Sequence, residues 1–151
     1  MTTTVITGTT NGIGLATARV LAKNQHRLLM LCRNLKAAEA VAREITKETS
    51  NSDIIPIFCD LSSLESVQNA ATLIRQEVDQ IDILINNAGI ISPDQQFSAD
   101  GFELTMAVNH LGPFLLTRSL ESLLYGGQVI NLASKAHLFC KASELLAETN
   151  F

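Results

Sequence analysis

The sequence predicts an α/β fold built on a doubly wound parallel sheet. Five short apolar segments alternate with helix-like stretches along the chain, which is the pattern of a parallel sheet covered by helices. The segments are continuously apolar, as in Leu28-Leu29-Met30-Leu31 and Ile83-Leu84-Ile85, and such runs are typical of strands buried on both faces. With 151 residues and 46% hydrophobic content, the chain is long enough for one compact domain.

The strands follow from the apolar runs, and their order follows from the fold class. The predicted strands are Thr4 to Thr7, Arg27 to Cys32, Asp53 to Cys59, Ile81 to Asn86 and Gln128 to Ala133. Because sheets of this kind usually have the order 3-2-1-4-5-6, the five strands predict the order 3-2-1-4-5 and a sheet that is incomplete at its C-terminal side. The fifth strand is then expected to be an exposed apolar edge, which favours pairing or aggregation.

A glycine-rich run, Thr7-Gly8-Thr9-Thr10-Asn11-Gly12-Ile13-Gly14, separates the first strand from the first helix. Gly8 permits a tight turn, Gly12 lets the main chain approach a diphosphate, and Gly14 lets helix and strand pack closely. The helix N-terminus then directs free N–H groups at the phosphates. A plain surface loop also accounts for a glycine pattern alone, but this context predicts a dinucleotide site at Gly8, Thr9, Thr10, Asn11, Gly12, Ile13 and Gly14.

Apolar residues at helical spacing assign a core-facing side to three helices. The predicted buried faces are Ile13, Ala16, Val20 and Leu21 in the first helix, Ala38, Val41, Ala42 and Ile45 in the second, and Val67, Ala71, Ile74 and Val78 in the third. Asn34 is predicted to cap the second helix, and Ser62-Ser63-Leu64-Glu65 fits the capping box at the start of the third.

A fourth helical region is predicted from about Gly101 to Leu124. Gly112-Pro113 interrupts it, and the proline should kink the helix because it lacks an N–H. Gly126-Gly127 is predicted to end the helix and return the chain to the fifth strand.

Charge and composition exclude several classes of function. The net charge is −4 and no block of Lys or Arg is present, so nucleic acid is not expected as a partner. No apolar run approaches the roughly 18 residues of a membrane-spanning helix, and the first strand leaves no room for a signal peptide, which predicts a cytoplasmic protein. Three cysteines without Cys-x-x-Cys spacing predict reduced thiols and no metal site.

Four distant signals occur in one order: the glycine run, Asn86-Asn87-Ala88-Gly89, Asn109 and Ser134. Together they resemble the short-chain dehydrogenase/reductase family over nearly the whole chain, and Asp-Ile-Leu-Ile-Asn-Asn-Ala-Gly-Ile at 82 to 90 is the most distinctive part. Gly101-Phe102-Glu103-Leu104 and the segment from Val108 to Thr117 are similar to the retinol-dehydrogenase-like branch. The resemblance implies a Rossmann-like fold and an oxidoreductase acting on an alcohol or carbonyl, with lipophilic compounds as the substrates of that branch.

The resemblance also implies the rest of a cofactor site. Asp60 and Leu61 match positions that flank the adenine, and the family assigns Asn87, Ala88 and Gly89 to the cofactor ribose. For Asp60 the alternative is capping the third helix, and for the Asn pair it is tying the fourth strand to its neighbours. An acid usually binds the ribose 2′-hydroxyl about 20 residues past the glycines, but that region reads Cys32-Arg33-Asn34 here. Arg33 therefore predicts NADP(H) as the preferred cofactor, with NAD(H) as the alternative.

The family's chemistry requires an acid/base and a group that holds the reacting oxygen. By resemblance, Ser134 holds the oxygen and Asn109 serves a proton relay, while a Tyr followed four residues later by a Lys supplies the acid/base. The single tyrosine, Tyr125, is followed four residues later by Val129, so that pair is absent from the sequence. The chain is therefore expected to supply the cofactor half of a longer enzyme and to turn over poorly.

Two alternatives stay open on the sequence alone. A non-catalytic dinucleotide-binding or dimerising module fits the intact glycines and the missing Tyr and Lys, and a homodimer or larger homo-oligomer is an expected assembly. A methyltransferase is disfavoured by the Asn-Asn-Ala-Gly segment and Ser134. Cys32 and Cys59 are expected at the carboxyl ends of neighbouring strands, as small packing residues rather than a redox pair.

Overall fold

The computed structural model describes residues 1–134 and contains a five-stranded parallel sheet. Its strands are β1 (Thr3–Thr7), β2 (Arg27–Cys32), β3 (Ile54–Phe58), β4 (Ile83–Asn86) and β5 (Gln128–Asn131). The order is β3-β2-β1-β4-β5, which confirms the predicted order. Strands β3, β4 and β5 are each shorter than the apolar run that predicted them, because the ends of those runs lie in the connecting loops.

The core lies on both faces of the sheet, as the continuous apolar runs predict. Along β2, Leu29 and Leu31 face the layer of helices that follows β3 and β4, whereas Leu28 and Met30 face the layer that follows β1 and β2. All four side chains are at most 1% exposed. Because all five strands are parallel, their carboxyl ends lie at one edge of the sheet, where ligands of such folds bind.

The helical segments cover the two faces in turn. They are α1 (Gly12–Lys23), α2 (Leu35–Thr49), α3 (Leu64–Glu77), α4 (Leu104–Met106), a π-helical turn (Ala107–Leu111), α5 (Gly112–Ser119) and a 3-10 turn (Glu121–Leu123). Within residues 1–134, none of these helices has the length and apolar character needed to cross a membrane.

The predicted buried face of α1 is wrong. Ile13 and Val20 are 65% and 60% exposed, whereas the buried positions are Gly14, Ala18 and Ala22. These small residues are spaced four apart, so their side of the helix packs close to the sheet, whereas Ile13 and Val20 point outward. The predicted faces of α2 and α3 are confirmed, apart from a half-buried Val41.

Three helices, α2, α3 and α4, have a side-chain cap at the N-terminus. Asn34 accepts a hydrogen bond from Ala37 N at 3.1 Å and caps α2, as predicted. The predicted capping box at α3 is wrong by one residue, since Ser63 accepts from Ser66 N and is the N-cap. Glu103 accepts from the first amides of α4. Asparagine at position 11 makes no such bond to α1, so this helix begins without a side-chain cap.

The predicted single helix from Gly101 to Leu124 is divided in the structure. Residues 101–103 precede the helix, and the π-helical turn stands where the proline kink is expected. Pro113 has no N–H to offer the carbonyl of Asn109 four residues earlier, and Gly112 N instead donates to Ala107 O across a five-residue turn. The kink therefore takes the form of a wider helical turn.

Strand β5 lies at one end of the sheet, and all four of its residues are exposed. Val129 and Ile130 are 41% and 43% exposed, and Leu132 beyond the strand is 50% exposed. Within residues 1–134 this strand pairs only with β4, so the expected apolar edge is present in the part of the chain that the structure describes.

Candidate cofactor cleft and active site

The crossing from β1 to α1 is compact because two glycines fit where a side chain would not. Gly8 has a φ of +74°, and a Cβ there would lie 3.0 Å from the backbone of Ala88. A Cβ on Gly14 would overlap the carbonyl oxygen of Gly8 and the side-chain nitrogen Nδ2 of Asn87. The predicted close packing at Gly14 is confirmed, and the turn leaves backbone at the surface of a cleft.

Thr7 and Asn87 hold this turn against the end of β4. Thr7 Oγ1 accepts hydrogen bonds from Asn87 N at 3.0 Å and from Ala88 N at 2.9 Å. In return, Asn87 Nδ2 donates to Thr7 O at 2.8 Å and to Gly8 O at 3.2 Å. Asn87 thus ties the end of the fourth strand to its neighbour, which is the alternative role given for it above, and it also lines the cleft.

The cleft has a volume of about 390 Å³ and lies across the carboxyl ends of β1, β2, β3 and β4. It gathers eleven of the predicted cofactor residues: Gly8, Thr10, Asn11, Ile13, Gly14, Arg33, Asp60, Leu61, Asn87, Ala88 and Gly89. Four distant segments of the sequence therefore meet at one surface, as expected for a ligand site at the switch point of such a sheet.

Two predicted cofactor residues, Thr9 and Gly12, do not line this cleft. Thr9 is fully buried, and its Oγ1 lies 2.9 Å from the Cys32 sulfur in a hydrogen bond. Gly12 is exposed with a φ of +54° and open space around its missing side chain, so the turn requires its conformation rather than its small size.

The electrostatics of the cleft favour an anion. The N-terminus of α1 carries partial positive charge from its first amides, has no side-chain cap and has no acidic residue in its first turn. Arg33 lies exposed at the same cleft, and no carboxylate within residues 1–134 forms an ion pair with it. A helix terminus and a guanidinium at one surface are suited to phosphate groups.

Sequence reasoning missed several residues of the cleft wall. Thr7, Leu31, Asn34, Ile90, Val108 and Leu132 also line it. Asn34 directly follows Arg33, so the sequence contains a signal for its position. Val108 and Leu132 lie far from the glycine run in sequence and come to the cleft only through the packing of the π-helical turn and the segment after β5.

Cys32 and Cys59 are free, buried thiols at neighbouring strand ends, as expected. Cys59 N donates to Cys32 O at 3.1 Å, and Asp60 next to it accepts from both the amide and the hydroxyl of Ser62. Asp60 thus orders the turn before α3 but does not cap the helix. Cys140 lies outside the described residues.

Burial raises the pKa of the Cys59 thiol from 9.0 to about 12, with smaller contributions from the Asp60 carboxylate and Cys32. Below pH 9 the thiol is protonated in both states and has no effect on stability. Between pH 9 and 12 the unfolded chain loses this proton and the folded chain keeps it, so we expect stability to fall as pH rises through that range. The expected loss from this residue is about 1 kcal/mol at pH 10.

Urea unfolding of the wild type and of Cys59→Ala at pH 8 and pH 10 checks this expectation. The variant should lose less stability than the wild type between the two pH values, whatever its starting stability. Equal losses in both proteins would show that Cys59 does not resist ionisation in the fold.

A second cleft, of about 1070 Å³, adjoins the first and shares Asn87, Ala88, Gly89, Ile90 and Leu132 with it. Both predicted catalytic residues, Asn109 and Ser134, line this cleft. Asn109 Oδ1 accepts from Ile90 N and its Nδ2 donates to Ile90 O, both at 2.8 Å. Its side chain therefore holds the loop after Gly89, and Pro113, which has no N–H, cannot donate to its backbone carbonyl.

His110 and Phe114 form part of the same wall, with ring centroids 6.3 Å apart in a stacked pair. Tyr125 is 91% exposed and does not line either cleft. Within residues 1–134, no cluster of three or more His, Cys, Asp or Glu side chains is arranged to hold a metal ion. The backbone amides and polar side chains at the clefts are suited to binding phosphates and a polar oxygen.

Comparison of the sequence with known proteins assigns the chain to a family. Residues 2–143 match the family model described as short chain dehydrogenase. Retinol dehydrogenase 13 of Homo sapiens is 40% identical over 139 residues, which cover 90% of this chain and 42% of that protein. This identity confirms the predicted likeness to the retinol-dehydrogenase-like branch, and the chain spans less than half the length of this relative.

Solved structures agree with the fold. The bulky-bulky ketone specific alcohol dehydrogenase from Comamonas testosteroni has a TM-score of 0.79 at 27% identity, covering 96% of this chain and 58% of that one. The alcohol dehydrogenase of the archaeon Thermococcus sibiricus, complexed with 5-hydroxy-NADP, has a TM-score of 0.74 at 28% identity, covering 85% and 56% of the two chains. The chain belongs to the short-chain dehydrogenase family.

Proposed function

We propose that this chain forms the cofactor-binding half of an NADP(H)-dependent oxidoreductase that acts on a lipophilic alcohol or carbonyl. The proposal depends on the first and narrower of the two clefts. The uncapped N-terminus of α1, the glycine turn and Arg33 all lie at this narrower cleft. The retinol dehydrogenase and ketone-specific alcohol dehydrogenase among its relatives support the substrate class.

The residues of the narrower cleft fit a dinucleotide. The close approach of Gly8 and Gly14 leaves backbone rather than side chains beside α1, and its first amides can donate to a diphosphate. Asp60 and Leu61 would flank the adenine, and Asn87, Ala88 and Gly89 would line the ribose next to the second cleft. When bound, the nicotinamide would donate or accept the hydride.

In the second cleft, Ser134 would hold the substrate oxygen and the backbone of Asn109 would serve the proton relay. The sequence contains no Tyr-x-x-x-Lys pair to act as the acid/base, so we expect the 151-residue chain to turn over poorly.

The free thiols of Cys32 and Cys59 suit a reducing compartment and support a cytoplasmic location. A homodimer is also part of the proposal.

Arg33 is the residue on which the preference for NADP(H) depends. Arg33→Ala should weaken NADPH binding about tenfold, because a charge-assisted hydrogen bond to the 2′-phosphate is lost, and should leave NADH binding nearly unchanged. Isothermal titration of both nucleotides into each protein measures the two affinities directly.

Lys36→Ala is the matched control, since Lys36 is an exposed cation three residues later that does not line the cleft. It should leave the ratio of the NADPH and NADH affinities as in the wild type. The preference would not depend on Arg33 if Arg33→Ala weakened both nucleotides equally, or if Lys36→Ala changed the ratio as much.

A further inference from the structure

Gly112 lies behind the lining of the cofactor cleft, packed against Leu61. It is buried at the junction of the π-helical turn and α5, and a Cβ there would lie 2.5 Å from the carbonyl oxygen of Leu61 and 3.0 Å from the Leu61 Cβ. Real side chains do not approach a backbone oxygen so closely, so only glycine fits without a shift of Leu61. Leu61 itself is buried and lines the narrower cleft.

The π-helical turn sets the position of residues on both sides of Gly112. The amide of Gly112 donates to Ala107 O and closes the turn. Within that turn, Val108 lines the narrower cleft and Asn109 lines the larger one. Asn109 also binds both backbone groups of Ile90, which lines both clefts. The close approach of Gly112 to Leu61 therefore limits how far the turn, with Val108 and Asn109, can lie from Leu61.

We propose that Gly112 is a positioning residue for the cofactor cleft, because its close approach to Leu61 sets how Leu61 and Val108, which both line that cleft, lie relative to each other. This inference rests on the proposed function. A side chain at position 112 would push the turn away from Leu61 and carry Val108 and Asn109 with it. Binding of the adenosine end would weaken as a result.

The test compares Gly112→Ala with Gly127→Ala. A Cβ on Gly127 would overlap the carbonyl oxygen of Ile81, so both variants place the same methyl group against a backbone oxygen. Gly127 precedes β5 and lies at the opposite end of the sheet from the clefts. Titration with 2′,5′-ADP, corrected for the folded fraction, should show at least a tenfold loss for Gly112→Ala and no loss for Gly127→Ala.

A measurement on the wild type keeps the inference testable if Gly112→Ala does not fold. Binding of 2′,5′-ADP should slow hydrogen exchange of the Gly112 amide, which donates to Ala107 O. The Gly127 amide, which donates to Leu124 O at 2.9 Å, should exchange at the same rate with and without ligand.

Each outcome decides one proposal. A wild type that binds neither 2′,5′-ADP nor NADPH overturns the proposed function. A wild type that binds 2′,5′-ADP overturns only the role of Gly112 if Gly112→Ala binds it equally well, if Gly127→Ala loses as much affinity, or if the exchange of Gly112 is unaffected.

Discussion

Gly14→Ala is expected to destabilise the fold by about 3 kcal/mol and to abolish nucleotide binding in the molecules that remain folded. The new Cβ would overlap the carbonyl oxygen of Gly8 and the side-chain nitrogen of Asn87. Both partners are held in place by the hydrogen bonds between them, so neither can move without opening the turn. Urea unfolding and titration with NADPH measure the two effects.

Gly12→Ala is the matched control, two residues away in the same loop. Its Cβ would meet open space, and the only cost is that alanine disfavours the φ of +54°. We expect a loss of about 1 kcal/mol, well below that of Gly14→Ala. Equal losses in the two variants would mean that the close approach at Gly14 does not limit stability.

Thr7→Val should cost roughly 2 kcal/mol although it preserves the shape of the side chain. The hydroxyl of Thr7 is the acceptor for the amides of Asn87 and Ala88, and valine would leave both donors without it. Because these bonds join the glycine turn to the end of β4, the affinity for nucleotide should fall as well. Denaturant unfolding and calorimetry of the same preparation report both quantities.

Thr72→Val serves as the control for this substitution. The hydroxyl of Thr72 is exposed on α3, where it donates to Gln68 O and accepts from Arg75 Nη2, both within its own helix. We expect a change of less than about 0.5 kcal/mol and no change in nucleotide affinity. If Thr7→Val were as harmless as Thr72→Val, the link between the turn and β4 would have little energetic weight.

The sheet could be predicted from the sequence because a buried parallel strand has a clear signature. Leu28, Leu29, Met30 and Leu31 are apolar without alternation, and each is buried in the structure. The meeting of the glycine run with Asn87 could also be predicted, since parallel strands place their carboxyl ends at one edge. Those two features determine where the cleft lies.

The buried face of α1 could not be predicted from the size of its apolar residues. Hydrophobic periodicity favours Ile13 and Val20, but the packing depends on how closely the backbone of Gly14 and Ala18 approaches the sheet. Glycine and alanine carry little hydrophobic signal, although they are the residues that allow a close approach.

Competition between neighbouring polar groups explains the other differences. Ser62 matches a capping box, but Asp60 accepts its amide and hydroxyl, so Ser63 caps α3 instead. Likewise, Pro113 predicts an interruption of the helix, but the sequence does not show that Gly112 N donates to Ala107 O and gives the interruption the form of a π-helical turn.

The most direct test of the cofactor site is calorimetric titration of the 151-residue protein with NADPH and with NADH in one buffer. We expect both nucleotides to bind, and NADPH to bind about tenfold more tightly because Arg33 faces the same cleft as the uncapped start of α1. Tighter binding of NADH would contradict the role of Arg33. No heat with either nucleotide, in protein shown to be folded, would contradict the assignment of the cleft itself.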